Sequence, residues 1–177
     1  MNSPDLPGRK PSRRILLPPW MALLLTPVVV LLGHVAVPRE LSSLSARHGW
    51  ARGRPGRLNL PGLILVGIGV AGLSWCARLH FGAARGSFER GRTQGYLVVR
   101  GPYRLARNPM YLCGMAIWLG WVVFYGSVAV LVGFAVFWGS VALLVVPREE
   151  RDLEARFGEG YLRYKGRVPR WWGKGSR

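Results

Sequence analysis

The sequence has few acidic residues and few cysteines. Its 177 residues include 8 Asp and Glu against 25 Lys and Arg, and only 2 cysteines. Cys76 and Cys113 both lie within apolar runs, so the sequence offers neither a disulfide framework nor a cysteine zinc site. We expect both to be small core residues, and we predict no metal site.

Charged and apolar residues are segregated along the chain. Half of the residues are hydrophobic although the formal net charge is +17, and long apolar runs alternate with arginine-rich connections. A soluble nucleic-acid-binding domain of this size would interleave its basic residues with an amphipathic core, so we expect no nucleic-acid partner. The pattern predicts an all-α, polytopic membrane helix bundle whose main partner is the lipid bilayer.

Apolar runs predict about four transmembrane helices. We place them at residues 15–37, 59–81, 109–125 and 128–146. Residues 1–14 are basic and contain several prolines, which predicts a disordered tail, and residues 15–177 are expected to form one domain. The first run lacks a small-residue cleavage site and should remain as an anchor. Residues 147–177 are polar and predict a cytoplasmic helical segment.

Small residues four positions apart predict where the helices approach one another closely. The pairs are Gly67/Ala71, Ala129/Gly133 and Ala135/Gly139. With no charge between them, the third and fourth runs are expected to form a tight hairpin. Residues 38–57 read as a polar loop, with a short interfacial helix around Glu40 to His48.

The basic residues predict the orientation in the membrane. With four spans, one side carries only the five arginines of the first loop, and all other Lys and Arg residues lie on the opposite side with both termini. Cytoplasmic loops carry the excess of Lys and Arg, so both termini should face the cytoplasm, at the inner membrane if the protein is bacterial. The first-loop arginines are Arg39, Arg47, Arg52, Arg54 and Arg57.

The segment VRGPYRLARNPMY, residues 99–111, is basic and leads directly into the third apolar run. Asn108 and Pro109 predict a helix start, since Asn is a favoured N-cap and Pro is tolerated at the first helical position. Exposed amides at such a start, together with Arg100, Arg104 and Arg107, would attract a carboxylate or a phosphate. The alternative is that these arginines only signal topology and that Asn108 only caps a membrane helix.

A short helix is predicted from Arg148 to Arg156, after the fourth run. Val146, Glu150, Leu153 and Phe157 fall on one stripe of it, so Glu150 faces inward, while Glu149 lies about 100° around the helix. A carboxylate on a buried stripe is costly unless it is paired. Its partner is either an internal arginine, from Arg100, Arg104 or Arg107, or the ammonium or sulfonium of a ligand.

S-adenosylmethionine would satisfy both segments at once. Its carboxylate suits arginine and helix-start amides, its amino group suits a carboxylate, and its adenine suits an aromatic or apolar slot. The aromatic residues available for the last of these are Tyr111, Tyr161, Tyr164, Trp171 and Trp172.

Two strings resemble a known family. GPYRLARNPMYLCG, followed about forty residues later by REERDLEARFGEGYLRYKGRVPRW, is similar to the isoprenylcysteine carboxyl methyltransferase family, whose wider group includes the phospholipid N-methyltransferases. The resemblance covers roughly residues 96–171. It implies a membrane-embedded methyltransferase that uses S-adenosylmethionine, held between the cytoplasmic end of the last hairpin and the C-terminal segment.

The resemblance also implies site residues. The basic motif corresponds to Arg107, Pro109 and Tyr111, the acidic pair to Glu149 and Glu150, and the aromatic tail to Tyr161 and Tyr164. Where the family usually has histidine, this chain has Asn108, which can form hydrogen bonds but cannot titrate near neutral pH. From the correspondence of the motifs we predict Arg107, Asn108 and Glu150 as catalytic residues. The predicted cofactor-binding residues are Arg104, Arg107, Asn108, Tyr111, Glu149, Glu150, Tyr161 and Tyr164.

Methyl transfer is an in-line displacement at an activated carbon, so the protein mainly aligns and desolvates the reactants. A carboxylate acceptor needs no general base, whereas an amine would need one, for which His80, Glu149 and Glu150 are the candidates. This favours O-methylation of a lipid-like or prenylated carboxylate. The alternatives are phospholipid N-methylation, a nicotinamide-dependent membrane reductase, and a non-catalytic membrane scaffold. The small-residue pairs are compatible with contacts within or between chains.

Overall fold

The structure is a computed structural model that describes residues 32–89 and 97–172, without the side chains of residues 84–89. The predicted tail at residues 1–14 and most of the predicted first span, residues 15–37, lie outside the described residues. The described chain is mostly helical, as predicted, and contains in addition one two-stranded hairpin.

Six α-helices carry the fold of the described residues. In chain order they are α1 (Val37–Leu41), α2 (Pro61–Glu89), α3 (Pro109–Tyr125), α4 (Val128–Ser140), α5 (Val146–Phe157) and α6 (Glu159–Arg167). Shorter elements connect them. These are π-helical turns at Leu32–Ala36 and Val141–Val145, strands β1 (Trp50–Ala51) and β2 (Arg54–Pro55), and a 3-10 turn at Gly101–Arg104.

Within residues 32–89 and 97–172, two helices are long and apolar enough to cross a membrane. They cover Pro61–Ala83 and Val128–Phe157, with mean hydropathies of 1.7 and 2.5. Pro109–Tyr125 is also apolar, but its 17 residues span only about 25 Å against a hydrocarbon core of about 30 Å. The predicted number of four spans therefore exceeds the two candidate spans found among the described residues.

The fourth apolar run ends at Val146 as predicted, but the helix that contains it does not end there. The helix continues through Pro147 to Phe157, because a π-helical turn at Val141–Val145 comes directly before the proline. Proline lacks the amide hydrogen, and its ring clashes with the carbonyl four residues earlier, so the wider turn accommodates it. The same arrangement precedes Pro38, after the turn at Leu32–Ala36.

The closest helix crossing is between α2 and α3, not within the predicted hairpin of α3 and α4. A Cβ atom on Gly120 would lie 2.6 Å from the carbonyl oxygen of Gly62, and one on Gly69 would lie 2.7 Å from that of Cys113. Gly67, which we expected at a helix contact, faces open space, as does Gly139. Glycine therefore lets the α2 and α3 backbones touch, but at positions that the spacing rule did not select.

The loop before α2 packs on the turn between α3 and α4. The predicted helix from Glu40 to His48 is wrong: α1 ends at Leu41, and the chain then forms the β1–β2 hairpin. The backbone N–H of His48 donates to the carbonyl of Gly126 at 3.0 Å, and the indole N–H of Trp50 donates to that of Phe124 at 2.8 Å. These bonds to the helix turn replace the ones that a helix would make internally.

At the opposite end of the bundle, the C-terminal part of α2, the start of α3, and α5 and α6 converge. Arg107 at the start of α3 pairs with Glu150 on α5, and Tyr164 on α6 bonds to the 3-10 turn. The polar segments that the sequence singled out therefore meet at this end.

Candidate cofactor site

A cavity of about 410 Å³ lies where these helix ends converge. Its walls come from the segment before α3, the acidic start of α5 and the tyrosines of α6, which are far apart in the sequence. Its lining residues are His80, Leu97, Val98, Tyr103, Arg107, Asn108, Pro109, Met110, Tyr111, Glu149, Leu153, Tyr161 and Tyr164.

Arg107 is the one arginine that lines this cavity among the described residues. Its backbone N–H donates to the carbonyl of Pro169 at 2.9 Å, which fixes the start of α3 to the C-terminal segment. The side chain is 9% exposed, and its Nη2 atom lies 3.3 Å from Oε1 of Glu150. Nε and Nη1 are buried with no hydrogen-bond partner among the described residues. A buried guanidinium with two unused donors is suited to an anionic ligand.

Glu150 is buried, as its place on the apolar stripe predicted, and its partners are internal arginines. Arg170 donates to both carboxylate oxygens, from Nε to Oε1 at 3.2 Å and from Nη2 to Oε2 at 2.6 Å. Together with Arg107 this makes a buried carboxylate between two guanidinium groups. Glu150 is therefore paired within the protein and does not line the cavity.

Arg170 was not predicted as a site residue. It lies in the arginine- and tryptophan-rich tail, where no helical spacing relates it to the stripe of Glu150. The hydrogen bond to Glu150 raises the pKa of Arg170 above its usual range, so the guanidinium stays charged. The excess of arginine over acid near the C-terminus was the available signal, because a buried acid must find a cation.

Glu149 is the carboxylate that faces the cavity. The phenol of Tyr111 donates a hydrogen bond of 2.9 Å to its Oε2 atom. One turn of α3 and one turn of α5 are thus joined at the cavity wall, and one carboxylate oxygen is oriented. The two adjacent glutamates have separate positions, since a step of one residue turns a helix by about 100°.

Asn108 lies at the N-cap position of α3, but its side chain does not cap the helix. Its Nδ2 atom instead donates to the carbonyl of Arg170 at 3.2 Å, because the bond between Arg107 and Pro169 brings the tail alongside. The predicted helix start at Asn108 and Pro109 is confirmed, whereas the predicted side-chain cap is wrong.

Tyrosine hydroxyls and the imidazole of His80 supply the other polar groups of the cavity lining. Tyr161 is 1% exposed, and the phenol of Tyr164 donates to the carbonyl of Tyr103 at 2.7 Å. His80 lies with its Nε2 atom 2.8 Å from the Tyr103 hydroxyl, and the two rings meet edge to face. Burial, with a smaller contribution from the charge of Glu150, raises the pKa of Tyr161 to about 12. Burial also raises the pKa of Tyr103 and of Tyr164, so all three phenols are neutral near pH 7.

Three residues that the sequence grouped with this site lie elsewhere. Arg104 lines a separate cavity beside α6. Trp171 packs against Trp138, with ring centroids 4.8 Å apart, and Trp172 is 76% exposed. The structure thus brings Arg107, Asn108, Tyr111, Glu149, Tyr161 and Tyr164 into one cavity lining, which includes neither these three residues nor Arg100 and Glu150.

The described residues form a helical protein with two helices long and apolar enough to cross a membrane and with a ligand-sized cavity at one end of the bundle. A family model described as phospholipid methyltransferase matches residues 61–160, and the chain belongs to this family. The family is part of the wider group to which the isoprenylcysteine carboxyl methyltransferases belong, so the resemblance seen in the two motifs is confirmed. Membership supports a membrane methyltransferase as the general class of the protein.

Two curated proteins are similar to the chain. One, the cobalt-zinc-cadmium resistance protein CzcN of Cupriavidus metallidurans, is 30% identical over 108 residues, which cover 61% of this chain and 45% of that protein. The chain therefore spans less than half the length of this relative. The other, an uncharacterized protein of Haemophilus influenzae, is 37% identical over 62 residues, covering 35% of this chain and 98% of that protein. No solved structure matches.

Proposed function

We propose that this protein is a membrane-embedded methyltransferase that uses S-adenosylmethionine and binds it in the cavity at the start of α3. The observation that carries the proposal is the joint lining of that cavity by Arg107, with its unused donors, and by Glu149. A zwitterionic aminoacyl group needs one cation and one anion in the same site. Members of the family generally use this cofactor.

The lining residues suit each part of the cofactor. Arg107 would bind the carboxylate, and the next residue, Asn108, lines the same cavity. Glu149 would bind the ammonium group through the oxygen that Tyr111 leaves available. Tyr161 and Tyr164 offer aromatic surface for the adenine.

Glu150 and Arg170 are positioning residues in this scheme. They do not line the cavity, but Glu150 holds one end of the Arg107 guanidinium and Arg170 neutralises the remaining carboxylate charge. A buried acid between two arginines fixes the direction in which the Arg107 fork points. In this proposal Glu150, which we predicted as a catalytic and cofactor-binding residue, acts by orienting the Arg107 side chain.

The bound cofactor supplies a methyl carbon that its sulfonium already activates. The protein then has to bind both reactants, align them and exclude water. The buried Tyr161 and the apolar side chains of Leu97, Val98 and Leu153 make the cavity wall suited to excluding water.

The proposed acceptor is lipid-like or prenylated. A smaller cavity of about 160 Å³ between the helices shares Met110 and Tyr111 with the cofactor cavity, and its other lining residues are mostly apolar. An apolar chain could reach the cofactor cavity from the bilayer by this route. We favour a carboxylate as the methylated group because it arrives ionised and needs no base.

Amine N-methylation is the second candidate, because His80 lines the cofactor cavity. An imidazole there could accept the proton that an ammonium headgroup must lose before it attacks.

Multi-pass insertion with cytoplasmic termini also belongs to the proposal, since the arginine-rich segments flank the cavity end of the bundle.

A nicotinamide-dependent reductase is less well supported, because a dinucleotide carries two phosphates and Arg107 is the one described arginine on the cavity wall. A non-catalytic scaffold would not need a ligand site, so it does not explain why a buried arginine has donors without a partner. Calorimetry separates these possibilities: the proposal expects S-adenosylhomocysteine to bind wild-type protein and NADPH not to bind. Preferential binding of NADPH, or of neither, would refute it.

The acceptor is tested with a radiolabelled methyl donor and detergent-solubilised protein. A prenylated cysteine analogue with a free carboxylate is compared with phosphatidylethanolamine. Label in the carboxylate analogue, released by mild base as expected of a methyl ester, supports O-methylation. Label only in the amine headgroup shows N-methylation, and His80→Gln should then lower the rate at neutral pH more than at high pH.

A further inference from the structure

A second cavity, of about 490 Å³, lies beside the cofactor cavity and shares only Tyr164 with it. Neither the family match nor the proposed reaction uses it. Three arginines line it, and none of its described lining residues is acidic. The complete lining is Val99, Arg104, Gly160, Arg163, Tyr164, Arg167 and Val168.

The arginines are brought together by regular structure. On α6, Gly160, Arg163 and Arg167 are separated by three and four residues, so they lie on one face of the helix. Arg104 ends the 3-10 turn, which the hydrogen bond from the Tyr164 phenol to Tyr103 fixes against the same helix. Regular structure therefore places the backbones of the three arginines around one cavity.

The positive charge of this cavity is poorly compensated within the protein. Arg163 pairs with Glu159 at 3.3 Å, but these side chains are 66% and 89% exposed, so water and salt weaken the pair. Lys165 pairs with Glu154, and Glu150 pairs with Arg107 and Arg170. Three like charges around one space repel one another, and an anion placed between them would remove that repulsion.

Exposed apolar residues are among the lining residues of this cavity or next to them in the sequence. Val99 is part of its lining, Leu105 follows Arg104 directly, and Leu162 precedes Arg163. Leu105 is 73% exposed and Leu162 52% exposed. Four residues after Leu105 the apolar helix α3 begins. Arginines flanked by exposed apolar residues at the end of a membrane helix are typical of the headgroup level of a bilayer.

We propose that this arginine cavity binds the phosphate of an anionic lipid headgroup at the membrane surface. Guanidinium groups bind phosphate through two parallel hydrogen bonds, and the exposed apolar side chains would contact the lipid chains below it. The cavity volume falls within the usual range for ligand sites, about 300–1000 Å³. The site is separate from the cofactor cavity and does not depend on methyl transfer.

The test measures lipid binding to the full chain in a neutral detergent. The probe is short-chain phosphatidylglycerol, the comparator is short-chain phosphatidylcholine, and inorganic phosphate is the competitor. The test variant replaces the three cavity arginines with glutamine, as Arg104→Gln, Arg163→Gln and Arg167→Gln. The matched control removes the same charge from α5, outside the cavity, as Arg148→Gln, Arg151→Gln and Arg156→Gln.

A second variant keeps every arginine in place. A Cβ atom on Gly160 meets no atom within 4 Å, so Gly160→Glu has room at its first side-chain atom and adds a carboxylate at a position that lines the cavity. We expect it to weaken phosphatidylglycerol binding at least fivefold, and the triple cavity variant to weaken it at least tenfold. Monodisperse elution and an unchanged melting temperature establish that each variant is folded.

We expect both cavity variants to bind phosphatidylglycerol more weakly than wild type does. The α5 control should bind it with an affinity within twofold of wild type, and phosphatidylcholine should bind weakly to wild-type protein. Equal losses in the cavity and control variants would mean nonspecific attraction and would overturn the proposal. Displacement of the lipid by an equal concentration of inorganic phosphate would also overturn it, because the site would then recognise free phosphate.

Discussion

Nη2 of Arg107 lies 3.3 Å from Oε1 of Glu150, so the first residues before α3 are joined to the middle of the acidic helix α5. Both side chains are almost fully buried, at 9% and 4% exposure. Two other donors of Arg107 have no partner among the described residues, and Arg170 connects Glu150 to the C-terminal tail. Most of the expected behaviour of the site follows from this ion pair.

Replacing Arg107 should abolish most cofactor binding. Arg107→Gln removes the one arginine that lines the cavity among the described residues. A hydrogen bond to a charged group contributes about 1.5–3 kcal/mol, which corresponds to a loss of about tenfold to a hundredfold in affinity. Calorimetry with S-adenosylhomocysteine measures the change. Arg151→Gln, an exposed change on α5, is the control. An unaltered dissociation constant for Arg107→Gln would contradict the proposed site.

Glu149 and Tyr111 should affect affinity to different degrees. Glu149→Gln removes the carboxylate proposed to bind the ammonium group and should weaken S-adenosylhomocysteine binding about tenfold or more. Tyr111→Phe removes only the 2.9 Å hydrogen bond that orients Glu149, so about two- to tenfold is expected. If Tyr111→Phe had the larger effect, the assignment of Glu149 to the ammonium group would be wrong.

Glu150 should matter more for stability than its neighbour. Glu150→Gln leaves the buried Arg107 without its counter-charge, which we expect to cost about 3 kcal/mol and to lower the melting temperature in detergent. Arg170→Gln should cost only about 1 kcal/mol, because that side chain is 41% exposed and water can replace its partner. Equal melting temperatures for Glu150→Gln and Glu149→Gln would contradict this account.

The α2–α3 crossing can be tested with single methyl groups. In Gly120→Ala the new Cβ would meet backbone atoms of Gly62 and Val66 at 2.6–2.8 Å, so the helices must move apart, at a cost of about 1–3 kcal/mol. Gly67→Ala meets open space and should stabilise the helix by up to about 1 kcal/mol. Melting temperatures of the two variants compare the positions directly. A loss of stability in Gly67→Ala would favour the crossing that the spacing rule predicted.

Tyr161 should make the protein less stable at high pH. Its pKa is about 12 in the folded protein against about 10 for an ordinary tyrosine, so the folded state holds the proton more tightly. The stabilisation is complete below about pH 10 and is lost as the pH rises to about 12. Melting temperatures across this range should fall less steeply for Tyr161→Phe. Parallel curves for wild type and variant would show that Tyr161 is not the group responsible.

Local sequence patterns predicted several elements correctly. The start of α3 at Pro109 and its end at Tyr125 follow from turn residues on both sides of an apolar run. The stripe through Val146, Glu150 and Leu153 placed Glu150 inside, because helical periodicity depends only on residues a few positions apart. These features needed no knowledge of the tertiary structure.

Other local rules failed where a distant segment competed. The loop after Leu41 bonds to the α3–α4 turn and does not form a helix, and the Asn108 amide bonds to the tail and does not cap α3. The small-residue spacing selected Gly67, although Gly62 and Gly69 face α3. In each case the local sequence allowed two arrangements, and the distant segment that packs against it in the folded protein determined which one formed.

The sequence by itself determined the membrane class, the family and the need of Glu150 for a cation, because composition, motifs and helical period are properties of the chain. Only the tertiary structure decided that Arg107 and Arg170 supply that cation, that Glu149 faces the cavity, and that Arg104 belongs to a different one. Several arginines could satisfy a buried carboxylate equally well by charge. Which of them do so depends on where the folded chain returns, and helical spacing carries no information about that.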